Sequence, residues 1–471
     1  MQTHFPSGDG SDLGVGLVLA PFCGVRYDLS RVGGLANVTS PPYDVIGPGS
    51  LERLLAASPY NVVRLILPAG APGGTAPGGG GSGEAAPGEG APGTAAPGAV
   101  APGAVASARL HDWLAEGALA VDDAPALYVY EQRSAGWVQR GLIGLVAVGT
   151  DAVHPHEGVM AGPVAGRREL MKETRTNLEP ILLVYNGAAG VAGSGKNAGG
   201  SGKGDASRLT DLTADGQAPL ACAVTDDGVT HRLWAVTDPG VQAAITADLA
   251  TRTALIADGH HRYAAYRELR AEMSDADGDS GPWDYGLAFL VDADEYPLRL
   301  GAIHRVLPRL PLTEAVDRAS EAFTVTMVSA ATAFDRLAAA GESGTAFLLA
   351  GEDGYWLLTD PDQLQVAAAM PAAASDRWRA LDASVMQELL LAQLWLIKDN
   401  ERDVLISHDA AEAVRMAADS GGTAVICNPM PLAAVMDIAA HGEKVPRKST
   451  SFGPKPRTGV VLRAVDARLA L

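Results

Sequence analysis

Apolar residues in this chain fall into short runs separated by amphipathic stretches, a pattern typical of strands and helices that alternate. In the first two thirds of the chain the pattern predicts strands over residues 17–25, 61–67, 126–131, 139–148, 181–185, 221–224, 231–236, 255–257, 285–291 and 300–306. It predicts helices over residues 51–57, 106–119, 167–175 and 241–249. This mixture predicts a mixed α/β (α+β) fold.

The last third of the chain, from about residue 312, has a different texture. Predicted helices over residues 313–322, 329–340, 381–398, 410–418 and 430–439 alternate with predicted strands over 345–350, 354–358, 423–427 and 460–462. This pattern predicts that residues 312–471 form an additional C-terminal α/β region, which closes the site.

Two low-complexity stretches interrupt the pattern. Residues 69–107 consist mainly of Gly, Ala and Pro, and with so few large apolar side chains their burial could not offset the entropy of ordering. Residues 186–206, rich in Gly, Ser and Ala, predict a second flexible insert. Residues 1–68 and 108–311 are then predicted to form one interrupted folded region.

The net charge and the cysteine content limit the kinds of partner and site that we expect. The chain has 471 residues, of which 47% are apolar, and a formal net charge of −19. Excess negative charge disfavours a broad nucleic-acid surface, because phosphate contacts supply most of that affinity. The three cysteines are too scattered for a disulfide framework or a metal-ligand spacing. No signal-peptide pattern and no run long enough to span a bilayer is found, so we expect a cytoplasmic protein without a membrane partner.

The densest candidate chemistry lies in the stretch LIADGHHRYAAY, where an apolar run meets a helical pattern at Gly259. Glycine permits a sharp turn there, and the N–H groups of a first helical turn suit an anion. His260, His261 and Arg262 add cationic or hydrogen-bonding side chains, which favours phosphate binding. The structural alternative is that Asp258 only caps the helix.

Four further polar clusters stand in loops that follow predicted strands or stiff Pro-rich segments: Tyr43 and Asp44; His154, His156 and Glu157; His304 and Arg305; and Lys448, Ser449 and Thr450. Ligands in α/β folds collect where loops leave the strand ends. If these loops converge, one site holds carboxylates, imidazoles and cations together. Carboxylates there could hold Mg²⁺ or take a proton from a hydroxyl group, and cations would neutralise a polyphosphate. This combination favours phosphoryl transfer.

Other interpretations remain open at this point. His154, His156, His260 and His261 could bind a transition metal in a metal-dependent hydrolase, although no HExxH spacing is present. The Lys448 loop could be a solvated basic surface, which is the usual fate of a short charge run. The sequence contains no GxxxxGK[ST], so a P-loop nucleotide fold is not predicted.

Eight short motifs occur in an order that resembles a known family: PF-x-x-x-RYD (21–28), SPPYDVI (40–46), SPYNVVRL (58–65), PHE (155–157), TRTNLEPI (174–181), ADGHHRY (257–263), HR (304–305) and KSTSF-x-PK (448–455). Apart from the inserts, nearly the whole chain resembles the bacterial family known as domain of unknown function 1015 (DUF1015). Its DGHHR core is similar to the phosphate-binding signature of the ParB/sulfiredoxin superfamily, whose members bind CTP, ATP or ADP. The resemblance implies a ParB/sulfiredoxin-like core that binds a nucleotide.

Within that superfamily, the chain resembles the free serine kinases. This resemblance implies a nucleotide-dependent kinase of serine metabolism, which is a transferase. Such an enzyme would use ATP or ADP with Mg²⁺ to phosphorylate the hydroxyl group of a small molecule, free L-serine. It also implies that the nucleotide phosphates contact the DGHHR residues Asp258, Gly259, His260, His261 and Arg262.

The remaining candidate roles come from residue type. Lys448, Ser449 and Thr450 are nucleotide-binding candidates, and Tyr43, His156, His304 and Arg305 are substrate-binding candidates. Glu157, followed by Asp44, is the acid/base candidate, His260 is a further catalytic candidate, and Glu157 is also the candidate metal ligand.

Two departures from the superfamily shape the hypothesis. The DGHHR loop has no cysteine, which disfavours sulfiredoxin chemistry. No helix-turn-helix pattern is evident, which disfavours a DNA partition protein. The main alternative to a kinase is therefore a non-enzymatic nucleotide-binding switch.

Overall fold

The computed structural model describes residues 16–68, 101–187, 203–274, 281–400 and 402–465. Helices and strands alternate throughout these ranges, which confirms the predicted mixed α/β class. The strands are β1 (Leu19–Ala20), β2 (Gly24–Tyr27), β3 (Leu119–Val121), β4 (Leu127–Ser134), β5 (Trp137–Ala147), β6 (Val153–His154), β7 (Thr176–Asn177), β8 (Ile181–Tyr185), β9 (Ala221–Val224), β10 (Thr230–Val236), β11 (Ala254–Asp258), β12 (Tyr285–Asp292), β13 (Arg299–Gly301), β14 (His304–Leu307), β15 (Thr324–Val328), β16 (Phe347–Gly351), β17 (Gly354–Thr359), β18 (Leu405–Ser407), β19 (Thr423–Cys427), β20 (Ser451–Gly453) and β21 (Leu462–Ala464).

The α-helices of the same ranges are α1 (Leu29–Val32), α2 (Leu35–Val38), α3 (Pro48–Ala57), α4 (Val63–Ile66), α5 (Pro102–Ala115), α6 (Ala161–Thr174), α7 (Asp205–Gly216), α8 (Pro239–Leu249), α9 (His260–Ser274), α10 (Leu312–Ala319), α11 (Ala333–Gly341), α12 (Gln363–Ala369), α13 (Asp376–Arg379), α14 (Asp382–Val385), α15 (Ala410–Ser420) and α16 (Leu432–Ala440). Short 3₁₀ helices cover Tyr43–Val45 and Pro282–Asp284, and a π-helix covers Met386–Leu394. None of the helices in the described ranges combines the length and the apolar character needed to cross a membrane.

The largest sheet has the strand order β6-β11-β8-β12-β5-β4-β10-β9, and β1 also pairs with β5. At its centre β12 runs parallel to β8, with Phe289 opposite Leu182. These two side chains pack on one face, against the four-stranded sheet that contains β2 and β3. Leu183 and Leu290 pack on the other face, against α6 to α9. Burial on both faces explains why β8 reads as a continuous apolar run.

A second sheet lies in the C-terminal part of the chain, with the order β15-β17-β16-β19-β14-β18. It includes β14, which precedes residue 312. In the opposite direction, β21 returns to a four-stranded sheet with the order β3-β2-β21-β7. Strand pairing therefore crosses the predicted division at residue 312 in both directions, and the residues before β21 run back across the largest sheet.

The strand predicted over residues 61–67 is wrong, because the helix α4 occupies this position. The Asn61 carboxamide oxygen accepts the N–H of Val63 at 3.0 Å, and its amide nitrogen donates to the Asn37 carbonyl at 2.8 Å. Val63, Leu65 and Ile66 are all fully buried. A short run whose apolar residues are almost all buried carries too little periodicity to separate a strand from a helix.

Several predicted boundaries also shift. The helix predicted over residues 106–119 is α5, which begins at Pro102, so the last residues of the predicted insert 69–107 are helical, while residues 69–100 lie outside the described residues. Helix α7 begins at Asp205, inside the predicted insert 186–206, of which residues 188–202 lie outside the described residues. The strand predicted over 300–306 divides into β13 and β14. The long helix predicted over 381–398 becomes α14 and the π-helix.

Candidate functional site

Five segments of the chain meet at one site, and four of them carry predicted site residues. They are the 3₁₀ turn after Pro42, the loop after β6, the residues before β8, the turn between β11 and α9, and the segment before β21. We call residues 258–262 the glycine corner and residues 448–457 the C-terminal segment. Ion pairs and hydrogen bonds between these segments join them into one site.

The glycine corner turns because Gly259 has a φ of +95°. A Cβ atom at this position would lie 2.9 Å from the Cγ2 atom of Ile181, so both the backbone and the available space require glycine. The Gly259 carbonyl accepts the N–H of Tyr263 at 2.9 Å as α9 begins. The N–H groups of the first helical turn have no acceptor within the helix, and they make this end of α9 electropositive.

Arg262 is directed inward, because its side chain is only 2% exposed. Its Nη1 atom donates to the Pro180 carbonyl at 2.5 Å and its Nη2 atom donates to Asp258 Oδ2 at 2.5 Å. The guanidinium group therefore joins the start of β8 to the end of β11 and fixes the Asp258 carboxylate. In this arrangement Arg262 supports the corner from within.

Lys455, from the C-terminal segment, bridges two carboxylates of the site. Its Nζ atom lies 2.6 Å from Asp258 Oδ1 and 2.7 Å from Asp44 Oδ2, and its side chain is 20% exposed. Burial disfavours the charged ammonium, but the two carboxylates outweigh this effect and raise the pKa of Lys455. For Asp44, burial raises the pKa, but the charges of Lys455 and Arg262 outweigh it and the pKa is lowered.

The histidines of the site are held as neutral side chains. His156 and His260 contact each other edge to face, with ring centroids 4.5 Å apart. The backbone N–H of His156 donates to His260 Nε2 at 3.4 Å, and His156 Nε2 is 2.9 Å from Thr450 Oγ1. Burial lowers the pKa of His156 to about 4 and that of His260 well below its usual range. These imidazoles therefore pack the loops together and carry no positive charge at neutral pH.

His261 is half-buried and accepts the backbone N–H of Met160 through its Nε2 atom at 3.1 Å. Burial, followed by the charge of Lys448, lowers its pKa. His154 lies apart in β6, where it pairs with Leu255. Within the described ranges no group of three His, Cys, Asp or Glu side chains is arranged to hold a metal ion.

Glu157 is half-buried, and its Oε1 atom accepts the backbone N–H of Lys448 at 3.2 Å. Burial raises the pKa of this carboxyl group, although the charge of Lys448 opposes the shift. Lys448 has a φ of +55°, and Ser449 Oγ donates to the Pro446 carbonyl. The start of the C-terminal segment is thus a tight turn that lies against a protonatable carboxylate.

His304 and Arg305 do not reach the accessible part of the site. Arg305 is 1% exposed and donates to the carbonyls of Arg447 and Lys448, each at 2.9 Å, so it supports the C-terminal segment from below. His304 lies in the C-terminal sheet, where its Nδ1 atom accepts the N–H of Cys427 at 3.3 Å. Burial lowers the pKa of His304 to about 4. Both residues back the site from within the C-terminal region.

Tyr43 is brought to the site by Glu179, which the sequence analysis did not select. Glu179 is 4% exposed, and its Oε1 atom accepts the Tyr43 N–H and the Thr458 hydroxyl, each at 3.1 Å. The guanidinium carbon of Arg167 lies 4.2 Å from the centre of the Tyr43 ring. Burial raises the pKa of Tyr43 to about 12. Glu179 therefore fixes the 3₁₀ turn that carries Asp44.

Three titratable side chains of the site were not selected from the sequence: Lys455, Glu179 and His408. Lys455 ends the motif KSTSF-x-PK and Glu179 lies in TRTNLEPI, so a charged residue beside proline was the signal available in both. His408 carried no such signal. Its Nδ1 atom is 3.1 Å from Ser451 Oγ, and burial, followed by the charges of Lys455 and Lys448, lowers its pKa.

Comparison with known proteins adds a family and several solved structures. The family model described as "Protein of unknown function (DUF1015)" matches residues 19–79 and 91–384. Among solved structures, a free serine kinase variant in complex with AMP is 15% identical over 64% of this chain and 85% of that chain, with a TM-score of 0.32. SbnI with a C-terminal truncation, from Staphylococcus aureus, is 11% identical over 66% and 82%, with a TM-score of 0.33.

A conserved hypothetical protein from Pyrococcus furiosus is 14% identical over 66% of this chain and 90% of that chain, with a TM-score of 0.30. A second free serine kinase variant, in complex with ADP, is 15% identical over 64% and 84%, with a TM-score of 0.32. No curated protein matches this chain.

Proposed function

This chain belongs to the DUF1015 family, and from the geometry of its site we propose that it is a nucleotide-dependent phosphotransferase that phosphorylates an alcohol group of a small molecule. The observation that carries the proposal is the position of Lys455. Its ammonium group is held by Asp44 and Asp258 at the amino end of α9. A fixed cation beside an electropositive helix end suits a phosphoryl group.

The charge distribution supports binding of a polyphosphate at this point. The chain carries a net charge of −19, yet Lys448 and Lys455 lie around the glycine corner. In phosphoryl transfer the protein contributes mainly positioning and charge stabilisation. We therefore assign the phosphates to the N–H groups of the first turn of α9, to Lys455 and to Lys448. Ser449 and Thr450 shape the turn that presents Lys448.

Proton transfer from the acceptor is assigned to Glu157. A carboxylate with a raised pKa is a better base near neutral pH, and burial raises the pKa of Glu157. Asp44 has a lowered pKa and is paired with Lys455, so its proposed role is to orient that cation. The acceptor hydroxyl gives its proton to Glu157, its oxygen forms the new P–O bond, and the bond to the nucleotide leaving group breaks.

His260 is proposed to act through its neighbours, because it is 8% exposed and its Nε2 atom accepts the N–H of His156. This hydrogen bond holds the loop that presents Glu157. Tyr43 and His156 are likewise proposed to shape the wall of the acceptor site, and Arg305 and His304 to support it from the C-terminal sheet.

The donor set fits Mg²⁺ that arrives with the nucleotide. Mg²⁺ is usually held by one or two carboxylates together with substrate phosphates and waters. Glu157 and Asp44 are the carboxylates that would hold it, since Asp44 contacts Lys455 and Glu157 lies against the backbone of Lys448. The ion would neutralise charge on the transferred phosphoryl group.

The acceptor that we propose is free L-serine, and the donor is ATP or ADP. Purified protein would be incubated with each nucleotide, Mg²⁺ and a panel of amino acids, and the products would be followed by ³¹P NMR and mass spectrometry. We expect phosphoserine from the native protein. Glu157→Gln should still bind nucleotide but lose transfer, whereas the exposed control Glu352→Gln should behave as the native protein does.

Two other results would contradict the proposed phosphotransferase activity. A nucleotide-induced rise in Tm with no phosphorylated product from any acceptor would favour a nucleotide-binding switch. No product and no effect of either nucleotide on Tm would overturn nucleotide chemistry at this site.

A further inference from the structure

A cavity of about 260 Å³ opens beside the site, at the two-stranded ribbon formed by β13 and β20. Its walls include Trp137, Arg299, Ser451, Phe452 and Pro454. The geometry points to this cavity as the subsite for the base of the nucleotide, with the base stacked on Trp137. This inference rests on the proposed nucleotide-dependent function and specifies where the part of the nucleotide other than its phosphates is bound.

The cavity adjoins the phosphate end of the site through three of its own walls. Ser451 Oγ lies 3.1 Å from the Nδ1 atom of His408. The Phe452 ring contacts the His156 ring at a centroid distance of 5.3 Å. Pro454 directly precedes Lys455, whose ammonium group is the proposed phosphate contact. One Cα–Cα step of about 3.8 Å and one lysine side chain therefore separate the cavity wall from that contact.

The walls have the chemistry that recognises a planar aromatic ring. Trp137 is half-buried, so part of its indole ring is accessible. The guanidinium carbon of Arg299 lies 5.6 Å from the centre of this ring, and both an indole and a guanidinium group stack on bases. This gives the cavity a flat aromatic and cationic wall.

Polar atoms at the rim are suited to the edge of a base. In the ribbon, Arg299 pairs with Gly453 and Gly301 pairs with Ser451. A ribbon of two strands has two outer edges whose backbone N–H and C=O groups lie outside the ladder. Together with the Ser451 hydroxyl, these groups can meet the donors and acceptors of a base.

The volume of the cavity indicates that it would hold the base but not the whole nucleotide. Pockets that enclose whole small ligands usually have volumes of about 300–1,000 Å³, and this cavity, at about 260 Å³, lies just below that range. It is therefore suited to one ring system and leaves the ribose and phosphates to extend toward Lys455. An apolar acceptor side chain is the competing occupant, and the experiment below distinguishes the two.

The test compares ATP with inorganic tripolyphosphate, which has the phosphates but no base. Calorimetry would measure both ligands on the full-length native protein, on Trp137→Ala and on Trp137→Phe. We expect Trp137→Ala to bind ATP about tenfold more weakly, because base–aromatic stacking is lost, and to bind tripolyphosphate with unchanged affinity. Trp137→Phe keeps a ring and should recover most of the ATP affinity.

Phe334→Ala is the matched control, since Phe334 is a partly exposed aromatic residue (40% exposed) in the C-terminal region. It should alter neither ligand. Loss of ATP and tripolyphosphate affinity together in Trp137→Ala, or no loss of either, would overturn the base subsite while leaving the proposed function intact. A raised KM for the acceptor with normal ATP affinity would assign the cavity to the acceptor instead. If the native protein binds neither phosphate ligand, the proposed function fails and the base subsite fails with it.

Discussion

The glycine corner and the C-terminal segment both bring a strong cation to the same Asp258 carboxylate, but the two cations are placed differently. Arg262 is 2% exposed and is engaged by Asp258 and the Pro180 carbonyl, whereas Lys455 is 20% exposed and joins Asp258 to Asp44. The difference shows that the most conspicuous charged motif of this chain is built mainly into the interior. The charge that remains available to a ligand comes from a segment far along the sequence.

The first way to break this comparison is Arg262→Ala. If Arg262 is a structural clamp, its removal breaks a buried ion pair and should lower the free energy of unfolding by about 4 kcal/mol. Urea denaturation, with nucleotide affinity measured under conditions where the variant remains folded, checks this. Arg267→Ala, an exposed arginine on the same helix, is the matched control and should change stability little. Native-like stability combined with lost nucleotide affinity would return Arg262 to a direct ligand contact.

The packing of neutral histidines beside the corner predicts a pH dependence of stability. Burial lowers the pKa of His156 to about 4, against about 6.5 in an unfolded chain. Its contribution is therefore fully present above pH 6.5 and is lost as the pH falls from 6.5 toward 4. The loss amounts to about 3 kcal/mol at its full extent.

Replacing His156 by Gln should flatten this part of the stability curve, as measured by denaturant titrations at several pH values. His111→Gln, an exposed histidine in α5, should leave the curve as it is. An identical pH profile for the native protein and His156→Gln would show that this imidazole is not the buried neutral group described above.

Lys455→Ala tests the role of the accessible cation in the C-terminal segment. It removes the accessible cation, so we expect phosphoryl transfer to fall by about 100-fold, the order of loss seen when one charge-stabilising contact is deleted. Folding stability should change less than in Arg262→Ala, because Asp258 keeps its partner Arg262. Lys444→Ala, an exposed lysine just before the C-terminal segment, is the control for kinetics. Full activity in Lys455→Ala would exclude Lys455 from the transfer step.

Asp44, Glu157 and Asp258 could be selected from the sequence because they lie in three of the motifs. In the structure Asp44 and Asp258 contact Lys455, and Glu157 accepts the N–H of Lys448. Residue type did not predict which side chain of a motif faces inward. Arg262 follows an apolar strand and Lys455 follows a proline in the sequence, and tertiary contacts distinguish them. Arg262 donates to the Pro180 carbonyl and to Asp258 and is 2% exposed, whereas Lys455 is 20% exposed. The strand predicted over residues 61–67 was wrong for a related reason, because a short, mostly apolar run does not distinguish a buried strand from a buried helix.

Gly259→Ala tests whether the shape of the corner, rather than its charges, sets the comparison. The substitution combines a φ of +95° with a Cβ contact of 2.9 Å to Ile181, and we expect it to lower the free energy of unfolding by about 2 kcal/mol. Gly442→Ala has a φ of +71° with no atom within 4 Å of the new Cβ atom, so it should cost only the strain of the backbone, about 1 kcal/mol.

Comparing the two variants separates the effect of backbone strain from the effect of moving the first turn of α9. If the corner aligns the first turn of α9 for a phosphate, Gly259→Ala should also weaken nucleotide binding, because any relief of the contact with Ile181 moves those N–H groups, while Gly442→Ala should bind normally. Equal stability losses in the two variants, with nucleotide affinity intact in both, would mean that the corner tolerates a side chain. The accessible cation of the C-terminal segment would then be sufficient for binding without a fixed helix end.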